Sequence, residues 1–383
     1  MGLFFVSFFG LAAAVLGHVG EPANKVEVGQ SLADTEVVVA FVVFRHGDRT
    51  PDQEELELLS GHEQFKDIFF PYGKKALTNK GKQRGFLVGQ YLRQQYDGLV
   101  SRLYLPEEIT IRTTEYARTK MTALSALAAL YPPPPAQKWN PALDWQPIPY
   151  DTVAPAMDDL LYWYNCPRYL WLRNKIYECP EIENLLKPYQ NLFTYLSEKT
   201  GSNITKAEDV FYLDNLFQTL ENVGVKPPKW AQDVMPAIKE VTKIEYAADF
   251  FIPEIRKFAS GVLLNKILNI TDAAIAGNED QPKLWLFSAH ENNVAALMAV
   301  ARVFQAHQPN YGSTFSLELR KHRSTGQYGF TAVYARTAGG PAEILPIQGC
   351  QNQLVCDYET FVKLTKDVVL SFDEFRQQCP VLE

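Results

Sequence analysis

The hydrophobic positions of the chain form short apolar runs that alternate with longer amphipathic stretches. Residues 37–44 (VVVAFVVF) are eight β-favouring apolar residues in a row, which is typical of a strand covered on both faces. Apolar residues then recur at helical spacing over 78–96, where Thr78 can cap the first turn. A short strand over 109–112 and an alanine- and leucine-rich helix over 115–130 follow. This part of the chain predicts a β-α-β-α alternation.

The second half of the chain returns to this alternation after a long helical stretch. Prolines recur among aromatic residues over 132–155, which indicates a stiff, packed crossing, and 156–276 predicts mainly helices. The later segments predict a buried strand, a helix, two closing strands and a last helix, over 283–287, 294–306, 313–319, 330–336 and 358–370. We predict an α/β fold: a doubly wound, mostly parallel sheet flanked by helices, formed by 36–150 plus 280–383, with an inserted α-helical cap over 151–279.

The amino-terminal residues indicate a leader. Residues 3–16 are apolar or small and fewer than the ~20 that span a bilayer, so 1–17 predicts a signal peptide cleaved after Gly17. No second apolar run approaches membrane-spanning length. Acceptor triplets for N-glycosylation at Asn203 and Asn269 agree with a secreted product.

Five cysteines fit the same oxidising compartment. They favour two disulfides and one leftover thiol, and Cys350 with Cys356 is the favoured local pair, although spacing alone does not assign the bonds. No C-x-x-C sequence occurs, which argues against a zinc ribbon and a thioredoxin-like redox site.

Composition and charge narrow the choice of partner. The 383 residues are 46% hydrophobic and 21% charged, as in ordinary globular proteins. With 44 acidic and 37 basic residues the net charge is −7, so no broad basic surface is available for phosphate backbones. We therefore expect no nucleic-acid partner.

Charged side chains follow three predicted strands at their carboxyl ends, where ligands gather in doubly wound sheets. Guanidinium groups suit an oxyanion, an imidazole can act as a nucleophile, and a carboxyl group can protonate a leaving group. This set of side chains indicates phosphoryl transfer. The candidates are Arg45, His46 and Arg49 after the first strand, Arg112 after the second, and His290 and Glu291 after the late strand.

Competing mechanisms lack their motifs. His290-Glu291 does not open a zinc helix, because Val294 stands where H-E-x-x-H requires histidine. The chain has no G-x-S-x-G elbow, no P-loop and no cysteine followed six residues later by arginine. We expect neither a metal nor another cofactor.

The heptapeptide RHGDRTP at 45–51 resembles the signature of the histidine acid phosphatases. Further stretches resemble the prostatic and lysosomal type in order and spacing: Leu77-Thr78 with Gly81, IRTT at 111–114 with Arg118-Thr119, WQPIP at 145–149, Cys166-Pro167-Arg168 and Ser288-Ala289-His290. The resemblance covers most of the mature chain. It implies a phosphoglycerate mutase-like fold and metal-independent hydrolysis of phosphate monoesters.

Carried over position by position, the resemblance makes His46 the nucleophile that becomes phosphohistidine. Arg45, Arg49 and Arg112 would hold the phosphoryl oxygens, with His290 as a further donor. The family usually has aspartate after the second histidine as proton donor, whereas this chain has Glu291, one methylene longer. We expect Glu291 to be increasingly protonated at acidic pH while the arginines keep His46 neutral, which predicts an acidic optimum.

The resemblance also implies a disulfide pairing and a setting. It pairs Cys166 with Cys379 and Cys350 with Cys356, and it leaves Cys179 over. It implies small-molecule or protein phosphate monoesters as substrates, and homodimers are common in the family. The leader favours secretion over delivery to the lysosomal lumen. The alternatives are phytase-like or phosphoryl mutase activity, and a secreted phosphate-ester binder in which Glu291 no longer supports turnover.

Overall fold

The computed structural model describes residues 32–61, 68–351 and 353–379. They contain one sheet of eight strands in the order β3-β2-β4-β1-β5-β6-β7, with β8 paired to β6. The strands β3, β2, β4 and β1 run parallel, and β5 to β8 join in antiparallel pairs. Their bounds are β1 Thr35–Arg45, β2 Ile109–Thr114, β3 Asp151–Val153, β4 Leu284–Ala289, β5 Thr314–His322, β6 Tyr328–Ala335, β7 Ala342–Leu345 and β8 Cys356–Asp357.

Helices cover both faces of this sheet, which confirms the predicted α/β fold with a helical subdomain. The α-helices of the described residues are α1 Gln53–Glu57, α2 Asn79–Gln95, α3 Ala117–Leu130, α4 Pro167–Ile176, α5 Pro180–Leu186, α6 Gln190–Thr200, α7 Ala207–Asn222, α8 Lys229–Asp249, α9 Pro253–Ile275, α10 Glu291–Val300, α11 Tyr358–Thr365 and α12 Phe372–Gln378. Short 3-10 turns lie at Pro135–Gln137, Pro155–Met157, Trp163–Asn165 and Lys187–Tyr189. None of the described helices is long and apolar enough to cross a membrane.

The apolar run of β1 is buried because the sheet is packed on both sides. Alternate side chains of a strand point to opposite faces, so β1 divides its apolar residues between two cores. One set packs with α9 and α10, and the other packs with α2 and α3. The first set is Val39, Phe41 and Val43, and the second is Ala40, Val42 and Phe44.

The helices α4 to α8 form a second layer beside the sheet. They pack on one another and on the first half of α9 in one apolar cluster. The structure joins Cys166, at the start of α4, to Cys379, just after α12, with the Cα atoms 4.6 Å apart. It also joins Cys350 to Cys356, with the Cα atoms 5.3 Å apart. These are the two pairs that the resemblance implies, and the Cys179 thiol is left unpaired.

Several boundaries differ from the sequence-based expectation. The strand β3 lies in the range predicted for the cap but pairs with β2 at the sheet edge. The helix expected over 294–306 begins at Glu291 and ends at Val300. The helix expected over 358–370 ends at Thr365 as α11, and a separate helix, α12, begins at Phe372. The limits of the cap stay a prediction, and the proposed signal peptide lies outside the described residues.

The helical layer contains a buried cluster with more acids than bases. The guanidinium of Arg173 lies 2.9 Å from a carboxylate oxygen of Asp249 and 2.9 Å from one of Glu208, and it also binds Glu245. The Tyr177 hydroxyl donates to Glu245 as well. Burial raises the pKa of Glu245 despite the Arg173 charge, and nearby Asp249 raises it further. We therefore expect Glu245 in the folded protein to keep its proton to a higher pH than an unfolded glutamate does.

We expect this cluster to make the protein less stable as the pH rises. Because the folded pKa of Glu245 is raised, its stabilisation is complete below the unfolded pKa near 4.5 and is lost as pH rises through the folded value. Between about pH 5 and pH 8 the free energy of unfolding should fall by about 1–3 kcal/mol less in Glu245→Gln than in the wild type. Urea unfolding at the two pH values measures this difference. Glu240→Gln, an exposed change on the same helix, is the control. Equal pH dependence in wild type and Glu245→Gln would contradict the account.

Candidate active site

Two neighbouring parallel strands bring the two histidines together. Arg45 at the end of β1 is the partner of Ala289 at the end of β4, so the next residue of each strand leaves the sheet at the same edge. The His46 amide donates to the Ala289 carbonyl over 3.0 Å. The ring centroids of His46 and His290 are 5.4 Å apart. The site therefore lies at the carboxyl ends of the parallel strands, as predicted.

The surroundings of His46 leave one ring nitrogen available. Its Nδ1 lies 2.8 Å from the carbonyl oxygen of Gly47, which can only accept, so Nδ1 carries the proton. Its Nε2 then presents a lone pair, and the Nε of Arg118 donates to it over 3.2 Å. A Cβ on Gly47 would lie 2.1 Å from the carbonyl oxygen of Gly81, so the loop requires glycine there. His46 is buried, and its Nε2 faces Arg118 and Glu291.

The carboxylate of Glu291 faces the same nitrogen. Its Oε2 lies 3.9 Å from Nε2 of His46 and 2.9 Å from Nε of Arg45. The Arg45 guanidinium stacks 3.9 Å above the centre of the Tyr311 ring, and its Nη1 donates to the Pro309 carbonyl over 2.6 Å. Arg45 is therefore held in place by Glu291, the Tyr311 ring and the Pro309 carbonyl.

The structure differs from the expectation for Arg112. The guanidinium of Arg112 lies 2.9 Å from Asp158, and it also donates to the Thr113 carbonyl. The reason is that β2 runs on to Thr114, so Arg112 is two residues short of the strand end. The arginine beside His46 is Arg118, in the first turn of α3. Among the described residues, Arg112 is not in contact with His46 or Glu291 in any interaction that the structure shows.

Sequence reasoning noted Arg118 within the family resemblance but assigned it no role. Its signal was position, because it lies in the first turn of the helix that follows a parallel strand. The Arg118 guanidinium also stacks over the Tyr116 ring, with its carbon 4.5 Å from the ring centre. The ring of Tyr116 makes an edge contact with His290, with the centroids 4.9 Å apart. Tyr116 thus contacts both Arg118 and His290, which lie beside His46.

Arg49 and His290 complete the polar wall. Arg49 makes two hydrogen bonds to Glu55, of 2.8 and 2.5 Å, and its Nη1 lies 3.5 Å from Oδ1 of Asp52. The Nε2 of His290 lies 3.0 Å from the Thr114 hydroxyl. Five of the six predicted side chains therefore come together, those of Arg45, His46, Arg49, His290 and Glu291. Arg112 binds Asp158 instead, and Arg118 lies beside His46.

Burial and positive charge keep both histidines neutral. Burial is the main reason that the pKa of His46 is well below its usual value, and Arg118, His290, Arg45 and Arg49 lower it further. Burial and Arg118 lower the pKa of His290 to about 3. A neutral imidazole is the form that attacks phosphorus. The sequence-based expectation of a neutral His46 agrees with these surroundings.

The protonation state of Glu291 in the free site differs from the sequence-based expectation. Burial alone would raise its pKa, but Arg45, then His290 and Arg49, lower the pKa of Glu291 to about 2. The carboxyl group is therefore ionised at pH 5, and the acidity of the solution does not by itself protonate it. The physical reason is the close pairing with Arg45, which the sequence order does not reveal.

The comparison with known families decides the identity. A sequence profile of the histidine phosphatase superfamily (branch 2) matches residues 36–333. The chain belongs to this superfamily. The match spans both parts of the sheet and the helical layer between them, so it confirms the resemblance carried by the RHGDRTP heptapeptide.

Curated members of the superfamily share about a third of their residues with this one. The venom acid phosphatase of Apis mellifera is 30% identical over 336 residues, covering 87% of this chain and 85% of its own. The prostatic acid phosphatase of Bos taurus is 32% identical over 343 residues, covering 87% and 86%. The lysosomal acid phosphatase of Homo sapiens is 30% identical over 348 residues, covering 88% and 79%. This histidine phosphatase is therefore a hydrolytic enzyme, as predicted.

Solved structures support the fold. The phytase of Citrobacter braakii aligns with a TM-score of 0.64, 16% identity, and coverage of 88% of this chain and 98% of its own. The phytase of Klebsiella sp. ASR1 aligns with a TM-score of 0.65, 16% identity, and coverage of 91% and 97%. At these identities the comparison establishes shared architecture alone.

The cavity of this histidine phosphatase opens in front of His290 and Glu291 and has a volume of about 280 Å³. Its wall combines the loops after β1 and β4 with α1, α3, α7, the first turn of α10 and the segment before α4. The charged groups that line it are Arg49, Arg118, Asp52, Glu55 and Glu291. The aromatic ones are Tyr116, Tyr162, Trp163, Tyr164, Phe211 and Tyr212. An anion can bind at the base, beneath a largely aromatic wall.

The same side chains include a set with metal-ligand geometry. His46, His290 and Glu291 each offer one ligand atom, and these atoms lie within 4.8 Å of one another. Arg45, however, already binds the Glu291 carboxylate, and Arg118 donates to His46. Two guanidinium groups against these donors disfavour a divalent cation and favour an anion. The donor set therefore fits a phosphate better than a metal.

Proposed function

We propose that this enzyme hydrolyses phosphate monoesters through a phosphohistidine at Nε2 of His46. The observation that carries the proposal is the fixed tautomer of His46: Nδ1 is bound to the Gly47 carbonyl, and Nε2 faces Arg118 and Glu291. Arg45, Arg49 and Arg118 supply the positive charge that a transferring phosphoryl group needs. The acid phosphatases among its relatives support the same reaction.

The proposed reaction has two steps. The Nε2 lone pair attacks phosphorus, the N–P bond forms, and the P–O bond to the leaving group breaks while Glu291 gives its proton to the departing oxygen. Water then gives a proton to the Glu291 carboxylate and attacks phosphorus, which breaks the N–P bond and releases inorganic phosphate. Glu291 lies on the same side of the imidazole as Nε2, at 3.9 Å, and one carboxyl group can serve both steps.

The proton on Glu291 arrives with the substrate in this proposal. In the free site Arg45 holds the carboxylate ionised. A bound phosphate takes up the arginine charge and adds negative charge beside Glu291, so both effects raise the pKa of that carboxyl group. A phosphate ester has a second pKa near 6 and at about pH 5 enters mostly as a monoanion that carries one proton. This supports an acidic optimum through the substrate's own protonation.

Charge in the cavity supports a substrate with a single phosphate. The cationic side chains of the lining are Arg49 and Arg118, and three carboxylates lie among them. A phytase-like substrate needs further cations for its other phosphates, and the aromatic wall supplies none. We propose that the helical layer, through residues such as Phe211 and Tyr212, contacts the leaving group.

We also propose that the enzyme is secreted and N-glycosylated and requires no metal. The apolar run at 3–16, the two disulfides, and relatives from venom and prostate support secretion. Asn203 and Asn269 both have exposed side chains, which suits glycan attachment. Three arginines provide the charge stabilisation that a metal provides in other phosphatases.

Substituting Glu291 tests the proposed proton donor. We expect Glu291→Gln to lower kcat/KM for an alkyl phosphate by about 10²–10³-fold, and for p-nitrophenyl phosphate by less, because nitrophenolate leaves without a proton. Glu291→Asp should retain turnover of both esters. The measurement is initial rates on both esters at about pH 5 with excess chelator. Equal losses on the two esters would show that Glu291 does not donate the proton.

A further inference from the structure

Asp52 lies between two of the arginines at the base of the cavity. Its Oδ1 is 3.5 Å from Nη1 of Arg49 and 4.0 Å from Nη1 of Arg118. These three side chains all line the cavity, and each is mostly buried. Among the described residues none makes a hydrogen bond to this oxygen. Asp52 thus provides negative charge at the place where the arginines face the anion site.

The neighbouring Glu55 is different, because its carboxylate is fully engaged. Both of its oxygens accept hydrogen bonds from Arg49, and one also accepts from the Asp52 amide. This bidentate pairing holds the Arg49 guanidinium in one orientation. Asp52 makes only the longer ion pairs to Arg49 and Arg118, so its negative charge repels a phosphate that binds to these two arginines.

We propose that Asp52 acts as a competing anion for Arg49 and Arg118, so that phosphate esters bind well only when Asp52 is protonated. The inference rests on the proposed function and deepens it, because it assigns to this chain a residue that sets the pH range of substrate binding. A like charge within a few ångströms in a mostly buried site opposes a second anion strongly.

Burial and the groups that face Asp52 together favour its protonated form at a higher pH than in a free aspartate. These groups come from four parts of the fold: Arg49 after β1, Arg118 on α3, Glu55 on α1 and Lys75 before α2. Burial raises the pKa of Asp52 above its usual value, Glu55 adds to this, and the three cations oppose it. A bound phosphate would neutralise Arg49 and Arg118 and raise this pKa further, since binding and protonation are linked.

The sign of the effect follows from this linkage. As pH rises, the free enzyme loses the proton on Asp52, and phosphate must then bind against a carboxylate or bring a proton with it. Affinity for phosphate should therefore fall with rising pH more steeply in the wild type than in a variant that has no charge at position 52.

The test measures binding of inorganic phosphate to the full chain by isothermal titration calorimetry at about pH 4 and about pH 7. Asp52→Asn keeps the size of the side chain, and both Asn and Ser keep the ability to cap the start of α1. We expect Asp52→Asn to bind phosphate about tenfold more tightly than the wild type at pH 7, and within about threefold at pH 4. Comparing variants at one pH cancels the titration of phosphate itself. Asp52→Ser should show the same pattern if Asp52→Asn does not fold.

Glu57→Gln is the matched control. It removes one negative charge from the same helix at an exposed position whose side chain accepts from Gln53. It should bind phosphate as the wild type does at both values of pH. Equal affinity of the wild type and the Asp52 variants at pH 7, or weaker binding by the variants, would overturn the role of Asp52. Absence of phosphate binding in every protein would instead overturn the arginine site and the proposed function with it.

Discussion

His46→Ala should abolish turnover while leaving the fold and the phosphate site in place. We expect kcat/KM for p-nitrophenyl phosphate at about pH 5 to fall by ~10³-fold or more, because the change removes the Nε2 lone pair that faces Arg118 and Glu291. The assay contains excess chelator, so it measures hydrolysis without a metal. Binding of inorganic phosphate should persist, since Arg45, Arg49 and Arg118 remain.

The control for this variant is His322→Ala, at the end of β5 and away from the cavity. It should retain the activity of the wild type. Residual turnover of His46→Ala above a hundredth of the wild-type rate would contradict the role of His46 as nucleophile. Loss of phosphate binding together with turnover would indicate a collapsed site, and His46→Gln would then separate the two effects because it fills the same space.

Replacing Arg118 should reduce catalysis far more than replacing Arg112. The Arg118 guanidinium contacts Nε2 of His46, so Arg118→Gln should lower kcat/KM by about 10²–10³-fold with little change in the free energy of unfolding. Arg112 is paired with buried Asp158, so Arg112→Gln should leave kcat/KM within about threefold and lower the free energy of unfolding by about 3 kcal/mol.

Two measurements separate these outcomes. Steady-state rates at about pH 5 give the catalytic loss, and urea unfolding gives the stability of each variant. The account predicts that Arg118→Gln lowers the rate and leaves the stability unchanged, whereas Arg112→Gln lowers the stability and leaves the rate nearly unchanged. A large loss of rate in Arg112→Gln, with Arg118→Gln close to the wild type, would restore the assignment that the sequence suggested.

The parts of the site that the sequence predicts well are those set by local order. An apolar run of eight residues followed at once by Arg45 and His46 predicts a buried strand whose end carries the nucleophile, because strand and loop are adjacent in the chain. The same holds for β4 and His290. The two strands pair in parallel, which brings their ends together without further information.

The position of Arg118 shows where such reasoning fails. The strand β2 was expected to end near Arg112 but continues to Thr114, and a shift of two residues changes which arginine reaches the site. Strand ends depend on pairing with β3 and β4, which is a property of the folded sheet. A helix-start arginine such as Arg118 is visible in the sequence only as one of several basic residues.

Electrostatic pairing is the other feature that sequence order conceals. The charge on Glu291 depends on Arg45, which is distant in the chain but 2.9 Å away in the fold. The same applies to Arg173 with Glu245 and Asp249. Each arginine lowers the pKa of its carboxyl partner: Arg45 outweighs burial at Glu291, whereas burial outweighs Arg173 at Glu245 and leaves the pKa of Glu245 raised. Composition gives the number of charged side chains, and only the fold shows which of them lie close enough to form ion pairs.

The central claim is that Nε2 of His46 carries the phosphoryl group during turnover. Its most direct test is rapid quenching of the enzyme with ³²P-labelled substrate into alkali, followed by peptide mapping of the label. The account predicts an acid-labile, alkali-stable label on the peptide that contains His46, formed within one turnover and absent from His46→Ala. Turnover with no label on that peptide, or label on His290 instead, would contradict it.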